Sequence, residues 1–511
     1  MTVIGTLAHA IQPLGTHEYI LFALGICLLA SYPIPYYLCL FAYNIYFHPL
    51  SKYPGPRIAS ATSWWLALPY VRGGLHKYLL KLHEQYGPVV RTSPNELSFI
   101  NPAQWKEIYG HKPPGHLEFS KDEKYHSGIK GGPLILNADR HYHQYIRKLL
   151  IHGFSEKALR EQEPVMQRYI SVLFQKLQEI SRNGTAPIDI LSWYDFMTFD
   201  LVGFLTFGES FDCLTNSRLH KWIEVFFSFA KLLAFSQAIA RLPFLVQTPL
   251  KLWAIPTSVK SDISTLQQLN TEKIKHRLEH ESDVPDFMDK LIEAYKAGKM
   301  SFQQLTGNAS TLISAGSETT ATLLSGLTYL LLKNPRVLQI LTNEVRGAFS
   351  HPDEITIARV NKCRYLLACI EEALRIYPPS PQPHHRIIPP GGAMVNGEYL
   401  PEGVSVAIPI YAASRSPYNW SQPDSFIPER WLGEDPQFSN DKRDASQPFS
   451  FGPRNCIGRN LAYVEMKIIV ARLMWHFDIE NATEGDWLDQ KVYLIWEKAP
   501  LWVKLHPVQR S

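Results

Sequence analysis

The sequence predicts a mainly α-helical protein with a smaller β subdomain. Helical patterns dominate from about Trp105 to Tyr377, and short β signals lie near Val89–Ile100 and from Met394 to Pro409. In the second β region, Asn396-Gly397 is a turn signal between two short apolar runs. Because 45% of the 511 residues are hydrophobic and 12% are aromatic, the chain can bury a sizeable core.

Charge and cysteine content exclude several classes of protein. The 51 basic and 47 acidic residues give a net charge of +4, which is too slight for a nucleic-acid-binding surface, so no nucleic acid partner is expected. Six cysteines in a chain of this length do not make a disulfide scaffold. The composition is therefore typical of a large globular protein that does not bind its partners through net charge.

An uncharged amino-terminal stretch predicts a membrane anchor. No Asp, Glu, Lys or Arg occurs from Tyr19 to Ser51, and residues 20–43 are long and apolar enough to cross a bilayer. A secretory signal peptide is the alternative, but no Lys or Arg precedes the apolar run. Since Lys52 and Arg57 follow the run, the rest of the chain is expected to face the cytosol. The predicted organisation is a short N-terminal segment (1–18), a transmembrane anchor (19–43), a Pro-rich linker (44–57) and one large domain (58–511).

One long helix is predicted to run through the centre of that domain. From Ser301 to Leu332 there is no proline, and Glu318 is the only charged residue. Eleven Ser and Thr residues argue against a second membrane span, so other elements are expected to cover this helix on all sides. Its middle contains the small pair Ala315-Gly316, which lets a flat group approach the backbone, followed by the acid–hydroxyl pair Glu318-Thr319. A buried carboxylate in mid-helix is costly without a role or a partner.

A cysteine loop near the carboxyl end predicts a site for a bulky planar group. In the segment 449–459, Cys456 is expected at a helix N-terminus, where free N–H groups stabilise a thiolate. Gly452 and Gly458 remove side chains on either side of the sulfur, and Arg454 can pair with a carboxylate of the incoming group. These features describe a haem iron ligand, whereas a buried structural cysteine is the alternative.

Four motifs in order resemble those of the cytochrome P-450 monooxygenases. The cysteine loop matches every fixed position of the family's Phe-x-x-Gly-x-Arg-x-Cys-x-Gly signature, and Glu372-Ala373-Leu374-Arg375, Pro428-Glu429-Arg430-Trp431 and Ala315 to Thr320 are similar to three further motifs. The resemblance covers residues from about 48 to 511. It implies the cytochrome P-450 fold preceded by a transmembrane helix, with 58–511 as a haem-thiolate catalytic domain. It also implies haem b, with Cys456 as the axial ligand of the iron.

The resemblance assigns further residues to the haem. Arg147, Arg386 and Arg454 are expected to bind the propionates. His143 is a further cofactor-binding candidate on the same helix as Arg147, although it departs from the family pattern, which commonly has Trp at that position. Glu372, Arg375 and Arg430 are expected to form a buried structural charge cluster. A non-haem metal site at His141/His143 or His384/His385 is the alternative, but no acid joins either pair at a ligating spacing.

The expected reaction inserts one atom of O2 into a C–H or C=C bond and reduces the other atom to water. A thiolate ligand favours O–O cleavage, Thr319 is expected to donate a hydrogen bond to dioxygen, and Glu318 is expected to relay protons from solvent. Because the chain has no Gly-x-Gly-x-x-Gly or Walker loop, NADPH is expected to act indirectly. The resemblance implies electrons from a membrane-bound NADPH-dependent flavoprotein reductase that docks on the Cys456 side.

Two other functions and the choice of substrate stay open. One alternative is a haem-thiolate isomerase or dehydratase, which would act on a peroxide without a reductase. The other is a haem sensor, in which the acid–hydroxyl pair would have no catalytic role. Several stretches, including Pro389-Pro390-Gly391-Gly392, resemble filamentous-fungal members that tailor terpenoids, polyketides and mycotoxins. The expected pocket walls, Ile313 to Thr319 and Ser380 to His384, contain no Lys or Arg, which predicts a lipophilic, mostly neutral small-molecule substrate. The expected location is the endoplasmic reticulum membrane, as a single-pass protein with its catalytic domain in the cytosol.

Overall fold

The structure is a computed structural model that describes residues 33–125, 133–253, 257–280 and 284–509. In chain order its helices are α1 (Pro33–Tyr46), α2 (Arg57–Ala61), α3 (Trp64–Val71), α4 (Leu75–Tyr86), α5 (Arg140–Leu150), α6 (Glu156–Ser181), α7 (Ile190–Phe207), α8 (Cys213–Asn216), α9 (Lys221–Ile239), α10 (Phe244–Trp253), α11 (Thr257–Glu279), α12 (Asp289–Lys296), α13 (Phe302–Lys333), α14 (Pro335–Ala348), α15 (Ile357–Val360), α16 (Arg364–Ile376), α17 (Ile410–Arg415) and α18 (Arg459–His476).

Four small sheets accompany the helices. The strands are β1 (Val89–Ser93), β2 (Glu96–Phe99), β3 (Ser120–Lys121), β4 (Ile188–Asp189), β5 (Arg386–Ile387), β6 (Ala393–Val395), β7 (Glu398–Leu400), β8 (Ser405–Ala407), β9 (Phe477–Asn481), β10 (Lys491–Tyr493), β11 (Ile495–Glu497) and β12 (Trp502–Pro507). The largest sheet has the order β1-β2-β8-β5-β3, and the others are β4-β12-β9, β10-β11 and β6-β7. Within the largest sheet, β2 and β8 are parallel while the other neighbours are antiparallel. The predicted mainly helical fold with a smaller β part is confirmed.

The long central helix is confirmed as α13. Ser301 caps its first turn by accepting from the Gln304 N–H, and the Gln304 side chain accepts in return from the Ser301 N–H. Most of its side chains from Leu305 to Leu331 are buried, and it packs against the strongly apolar α7 and against α16 and α18. A helix with almost no charge is stable here because other elements cover most of its surface.

The β subdomain also lies where the sequence predicts it. Strands β1 and β2 fall within 89–100, and β6 to β8 fall within 393–407. Asn396 and Gly397 have φ angles of 56° and 73°, which gives the turn between β6 and β7 the left-handed backbone of a type I′ hairpin. A separate cluster of buried side chains, including Leu97, Phe99 and Val406, forms its core.

Only part of the predicted anchor falls within the described residues. Residues 1–32 lie outside them, and residues 33–43 form most of α1, on which Ile34 and Leu38 are 64% and 62% exposed. The predicted linker packs on the β subdomain, because Leu50 is fully buried there and the Arg91 N–H donates to the Pro54 carbonyl. Within the described ranges, α9 is the one helix whose length and apolar composition would suffice to cross a membrane, a property that core helices share.

A fully buried charge cluster joins α16 to the segment before the cysteine loop. Arg375 donates to both oxygens of Glu372 at 2.8 Å, Arg430 donates to Glu372 Oε1 at 3.0 Å, and all three side chains are 0% exposed. Burial alone would raise the pKa of Glu372, but Arg375 and Arg430 bring it below its ordinary value. The predicted structural cluster is confirmed, and Asp441 joins it as a second carboxylate against Arg430.

Candidate active site

The cysteine loop holds Cys456 just ahead of α18. The helix begins at Arg459 with Gly458 at its N-cap, so Cys456 stands three residues before the first helical residue rather than within the first turn. Burial raises the pKa of the Cys456 thiol, and the Gly458 N–H together with Arg147 and Arg459 offsets part of that rise. The loop's own geometry requires Gly452, since its φ is +76° and a Cβ there would lie 2.0 Å from the Tyr109 carbonyl oxygen.

The sulfur is accessible from inside the protein. Cys456 lies deep among protein atoms, yet its side chain is exposed, so the thiol is accessible to an incoming group. A Cβ on Gly458 would stand 4.0 Å from the Cys456 sulfur, so this position is directly beside the thiol. A planar macrocycle that binds through its central iron needs this combination of an accessible thiol and a missing neighbouring side chain.

Cations outnumber acids in one cluster near the loop. Arg454 donates to Glu118 Oε1 at 2.5 Å and to the Ala138 carbonyl at 2.9 Å, and Glu118 is also 3.8 Å from Arg140. Arg386 is 5% exposed, donates to the His385 carbonyl and faces the Tyr109 ring. Burial, Arg386 and Arg454 lower the pKa of Lys121 to about 7.

The cluster thus sets Arg386 and Arg454, together with a Lys121 that is only partly protonated near neutral pH, against Glu118, the carboxylate that acts on them among the described residues. Buried charges normally occur with partners of opposite sign. The surplus of positive charge fits the two carboxylates of haem b, and the residues present therefore fit that cofactor.

His143 lies within reach of the same cations. It is 5% exposed, and burial together with Arg454, Lys121, Arg147 and Arg386 lowers its pKa to about 3. A neutral imidazole adds no further positive charge to the cluster and can donate one hydrogen bond. Arg147 is held against the cysteine loop, where it donates to the Asn455 carbonyl at 2.7 Å and to Asn455 Oδ1 at 2.6 Å.

The middle of α13 presents a small, partly open face. Ala315 is exposed although it lies in the central helix, and the Thr319 hydroxyl donates to the Ala315 carbonyl at 2.6 Å. The half-buried Thr319 hydroxyl therefore stands next to an open stretch of backbone. Since α13 and α18 pack against each other, this face and the cysteine loop belong to neighbouring elements.

Glu318 is buried and paired, which the sequence did not reveal. Its Oε1 accepts from Lys498 Nζ at 2.6 Å and from the Thr322 hydroxyl at 3.0 Å. Lys498 comes from the segment after β11 and is also 3.8 Å from Asp195 on α7. No local pattern indicates a pair that is 180 residues apart along the chain.

The structure places the predicted site residues in three parts of the site. Arg386, Arg454 and His143 share the cationic cluster, and Arg147 lies against the cysteine loop. Glu318 and Thr319 occupy the middle of α13 but point to different surroundings. Lys121 was missed because it sits in a two-residue strand, β3, that carries no sequence pattern. Among the described residues, no three His, Cys, Asp or Glu side chains are grouped so that they could hold a metal ion by themselves.

An accessible thiol before a helix, a central helix with a small face and a surplus of buried cations together define a haem-thiolate protein. Comparison with known proteins gives the family. The cytochrome P450 family model matches residues 54–501, and the chain belongs to that family. It is accordingly a monooxygenase with a cysteine-ligated haem iron, which uses O2 and electrons supplied by a reductase.

Curated relatives from fungi are similar over nearly the whole chain. A cytochrome P450 monooxygenase, hepD, of Aspergillus oryzae is 45% identical over 97% of this chain and 98% of its own length. An averantin hydroxylase of Dothistroma septosporum is 43% identical, with 91% and 88% covered. A trichothecene C-15 hydroxylase of Fusarium sporotrichioides is also 43% identical, with 93% and 96% covered. The relatives are thus hydroxylases and monooxygenases of fungal origin.

Proposed function

We propose that this monooxygenase hydroxylates or epoxidises a lipophilic, mostly neutral small molecule as a tailoring step in fungal secondary metabolism. The observation that carries the proposal is the open, small and nearly uncharged face of α13 around Ala315 and Thr319, because apolar surface with few polar groups binds neutral ligands. The similarity to an averantin hydroxylase and a trichothecene C-15 hydroxylase supports a hydroxylation step in fungal secondary metabolism. The proposal extends this to a terpenoid or polyketide substrate, including a mycotoxin precursor.

The cofactor would be held by residues from three parts of the chain. Cys456 would supply the thiolate ligand, and Arg147, Arg386, Arg454 and His143 would hold the propionates. Arg147 also donates to Asn455 and so braces the cysteine loop. When bound, a haem with a thiolate ligand supplies the electron density that favours cleavage of the O–O bond. The surplus of positive charge around Glu118 is what supports this assignment of the propionates.

Proton delivery would fall to the middle of α13. The Thr319 hydroxyl can turn from the Ala315 carbonyl to donate toward the open face, and Glu318 is the nearest carboxyl group along the helix. Because Glu318 is 5% exposed, it needs a route for protons through other buried groups rather than direct contact with solvent.

The chain would be held at the endoplasmic reticulum membrane by residues 19–43, with the catalytic domain (58–511) in the cytosol. The exposed apolar side chains of α1, including Ile34 and Leu38, support burial of this end in lipid. A membrane-bound NADPH-dependent flavoprotein reductase on the Cys456 side would then share the membrane with its partner. We expect the full chain to stay in the membrane fraction during carbonate extraction. A chain that begins at residue 44, and therefore lacks the anchor, should be released from it.

The function is tested with microsomes that contain the full chain and a fungal reductase. Neutral lipophilic compounds are screened for a substrate-induced shift of the Soret band, and those that bind are incubated with NADPH and isotopically labelled O2. We expect a product that gains one labelled oxygen atom and that is absent when NADPH or reductase is omitted. Isomerisation or dehydration of an organic peroxide itself, without NADPH and without oxygen transfer to a second molecule, would instead favour the isomerase or dehydratase alternative.

A further inference from the structure

Three buried charged side chains meet behind the middle of α13. Lys498 Nζ lies 2.6 Å from Glu318 Oε1 and 3.8 Å from Asp195 Oδ1, and these side chains are 2%, 5% and 9% exposed. The Thr322 hydroxyl completes the group by accepting from Lys498 at 2.9 Å and donating to Glu318 at 3.0 Å. The three residues come from α7, α13 and the segment after β11, and are here called the buried triad.

The charges of the buried triad do not balance when every member is ionised. Two carboxylates and one ammonium would leave a net negative charge in a region that solvent hardly reaches, which is strongly unfavourable. A single proton on one carboxyl group removes that charge. Asp195 is the better site for it, because Glu318 has the shorter contact with Lys498 and an additional hydroxyl donor.

The electrostatics of the neighbourhood agree with this assignment. Burial raises the pKa of Asp195, Glu318 and Asp189 raise it further, and Lys498 only partly offsets the rise. Burial lowers the pKa of Lys498, but the two carboxylates outweigh it and keep Lys498 cationic. Asp189, just before α7, and Tyr377, just after α16, are further ionisable groups that act on the triad.

We propose that the buried triad is a one-proton reservoir for Glu318, in which Asp195 carries the proton and Lys498 is the residue that positions both carboxyl groups. In the loaded state Asp195 is neutral, Lys498 is positive and Glu318 is negative. When Lys498 moves from Glu318 toward Asp195, the proton passes from Asp195 to Glu318 and the net charge stays zero. Once Lys498 has released it, the Glu318 side chain turns toward the Thr319 side of α13 and passes the proton on, and one proton from solvent reloads the triad. This inference rests on the proposed role of Glu318.

The proton on Asp195 is tested first, without substrate. Infrared difference spectra between the wild-type holoprotein and Asp195→Asn are expected to contain a carboxylic-acid C=O band from the wild type. Spectra between the wild type and Glu318→Gln are expected to contain the same band, because an ionised Asp195 then balances Lys498 and no longer needs the proton. Spectra between the wild type and Lys504→Met, which leaves the triad unchanged, are expected to lack it. Absence of a carboxylic-acid band in the first pair would overturn the proposal, whatever the activity of the enzyme.

The positioning role is tested by turnover with reductase and NADPH and no added substrate. Glu318→Gln is expected to slow NADPH consumption about 100-fold, which is the lower end of the range for a positioned acid. Lys498→Met and Asp195→Asn are each expected to slow it about 10-fold. In these two variants D2O should slow NADPH consumption more than it does in the wild type. Lys498→Arg keeps the charge and is expected to stay within about 2-fold of the wild type. Lys504→Met removes an exposed ion pair with Glu480 from the same terminal region and is the control.

These variants distinguish the proton reservoir from the role of Glu318 itself. Wild-type turnover in Asp195→Asn and Lys498→Met, with slow turnover in Glu318→Gln, would overturn the reservoir and leave the role of Glu318 intact. Wild-type turnover in Glu318→Gln would remove that role itself. Asp195→Asn is isosteric and neutral, so it remains decisive if Lys498→Met does not bind haem.

Discussion

Glu465 on α18 is a buried carboxyl group whose replacement by Gln should stabilise the protein at neutral and higher pH. It is 1% exposed, and neither carboxyl oxygen has a hydrogen-bond partner among the described residues. Burial raises its pKa to about 8, and the nearby Thr320 hydroxyl offsets the rise only in part. The folded chain therefore keeps a proton on Glu465 over a pH range in which the unfolded chain has lost it.

The size of the effect follows from the two pKa values. Each unit of difference is worth about 1.4 kcal/mol. Because the folded-state value of about 8 lies above the ordinary 4.5, the folded state binds more protons between these limits, and stability falls as pH rises through that window. Between pH 5 and pH 7 the loss is roughly 3 kcal/mol. Gln has the shape of the protonated acid and does not titrate, so Glu465→Gln should escape this loss.

The assay is urea unfolding of the holoprotein at several pH values, followed by tryptophan fluorescence and by loss of the Soret band. The stability of Glu465→Gln relative to the wild type is expected to increase by about 1.4 kcal/mol per pH unit from pH 5 to pH 8. Glu293→Gln, at an exposed position on α12, is the control and should show no such trend. A stability difference that does not change with pH would refute the assignment of a protonated, buried Glu465.

Three further substitutions test other parts of the structure. Thr319→Ala should bind haem normally but divert NADPH-derived electrons to hydrogen peroxide. Thr311→Ala, the control, also removes a hydroxyl that donates to the carbonyl four residues earlier, and it should not change the peroxide yield. Equal peroxide yields in the two variants would show that Thr319 has only a packing role. Glu372→Gln should lower the unfolding free energy by about 3–5 kcal/mol, because it leaves the buried Arg375 without a carboxylate and Arg430 with Asp441 alone. An unchanged urea midpoint would contradict this. Gly452→Ala should greatly reduce the yield of haem-loaded protein, because its Cβ would clash with the Tyr109 carbonyl oxygen. Gly433→Ala is the control, since Gly433 has a similar φ of +75° but no atom nearer than 3.8 Å to an added Cβ, and it should reduce the yield little. Equal reductions would assign the effect to backbone strain alone.

Sequence patterns were sufficient where the information is local. The lack of charge between Ser301 and Leu332 predicted α13, and the Ser301–Gln304 capping box fixes its first residue. The Asn396-Gly397 pair predicted the β6–β7 hairpin because few residues adopt two consecutive left-handed conformations. The i, i+3 spacing of Glu372 and Arg375 predicted their pairing on one helix face.

Contacts between distant segments could not be predicted in the same way. Lys498 reaches Glu318 from the far end of the chain, and Lys121 enters the cationic cluster from a strand of only two residues. The sequence therefore suggested that Glu318 takes protons from solvent, whereas the structure surrounds it with Lys498, Thr322 and Asp195. Burial decides the behaviour of such groups, and burial depends on the whole fold.

The role of Cys456 is tested most directly by the carbon-monoxide difference spectrum of the dithionite-reduced protein, expressed in membranes. A thiolate ligand predicts a strongly red-shifted Soret band in the wild type that is lost in Cys456→Ala, since no other cysteine is present in the loop. A wild-type band at the position of imidazole-ligated or thiol-ligated haem, or a red-shifted band that persists in Cys456→Ala, would contradict the assignment of Cys456 as the iron ligand.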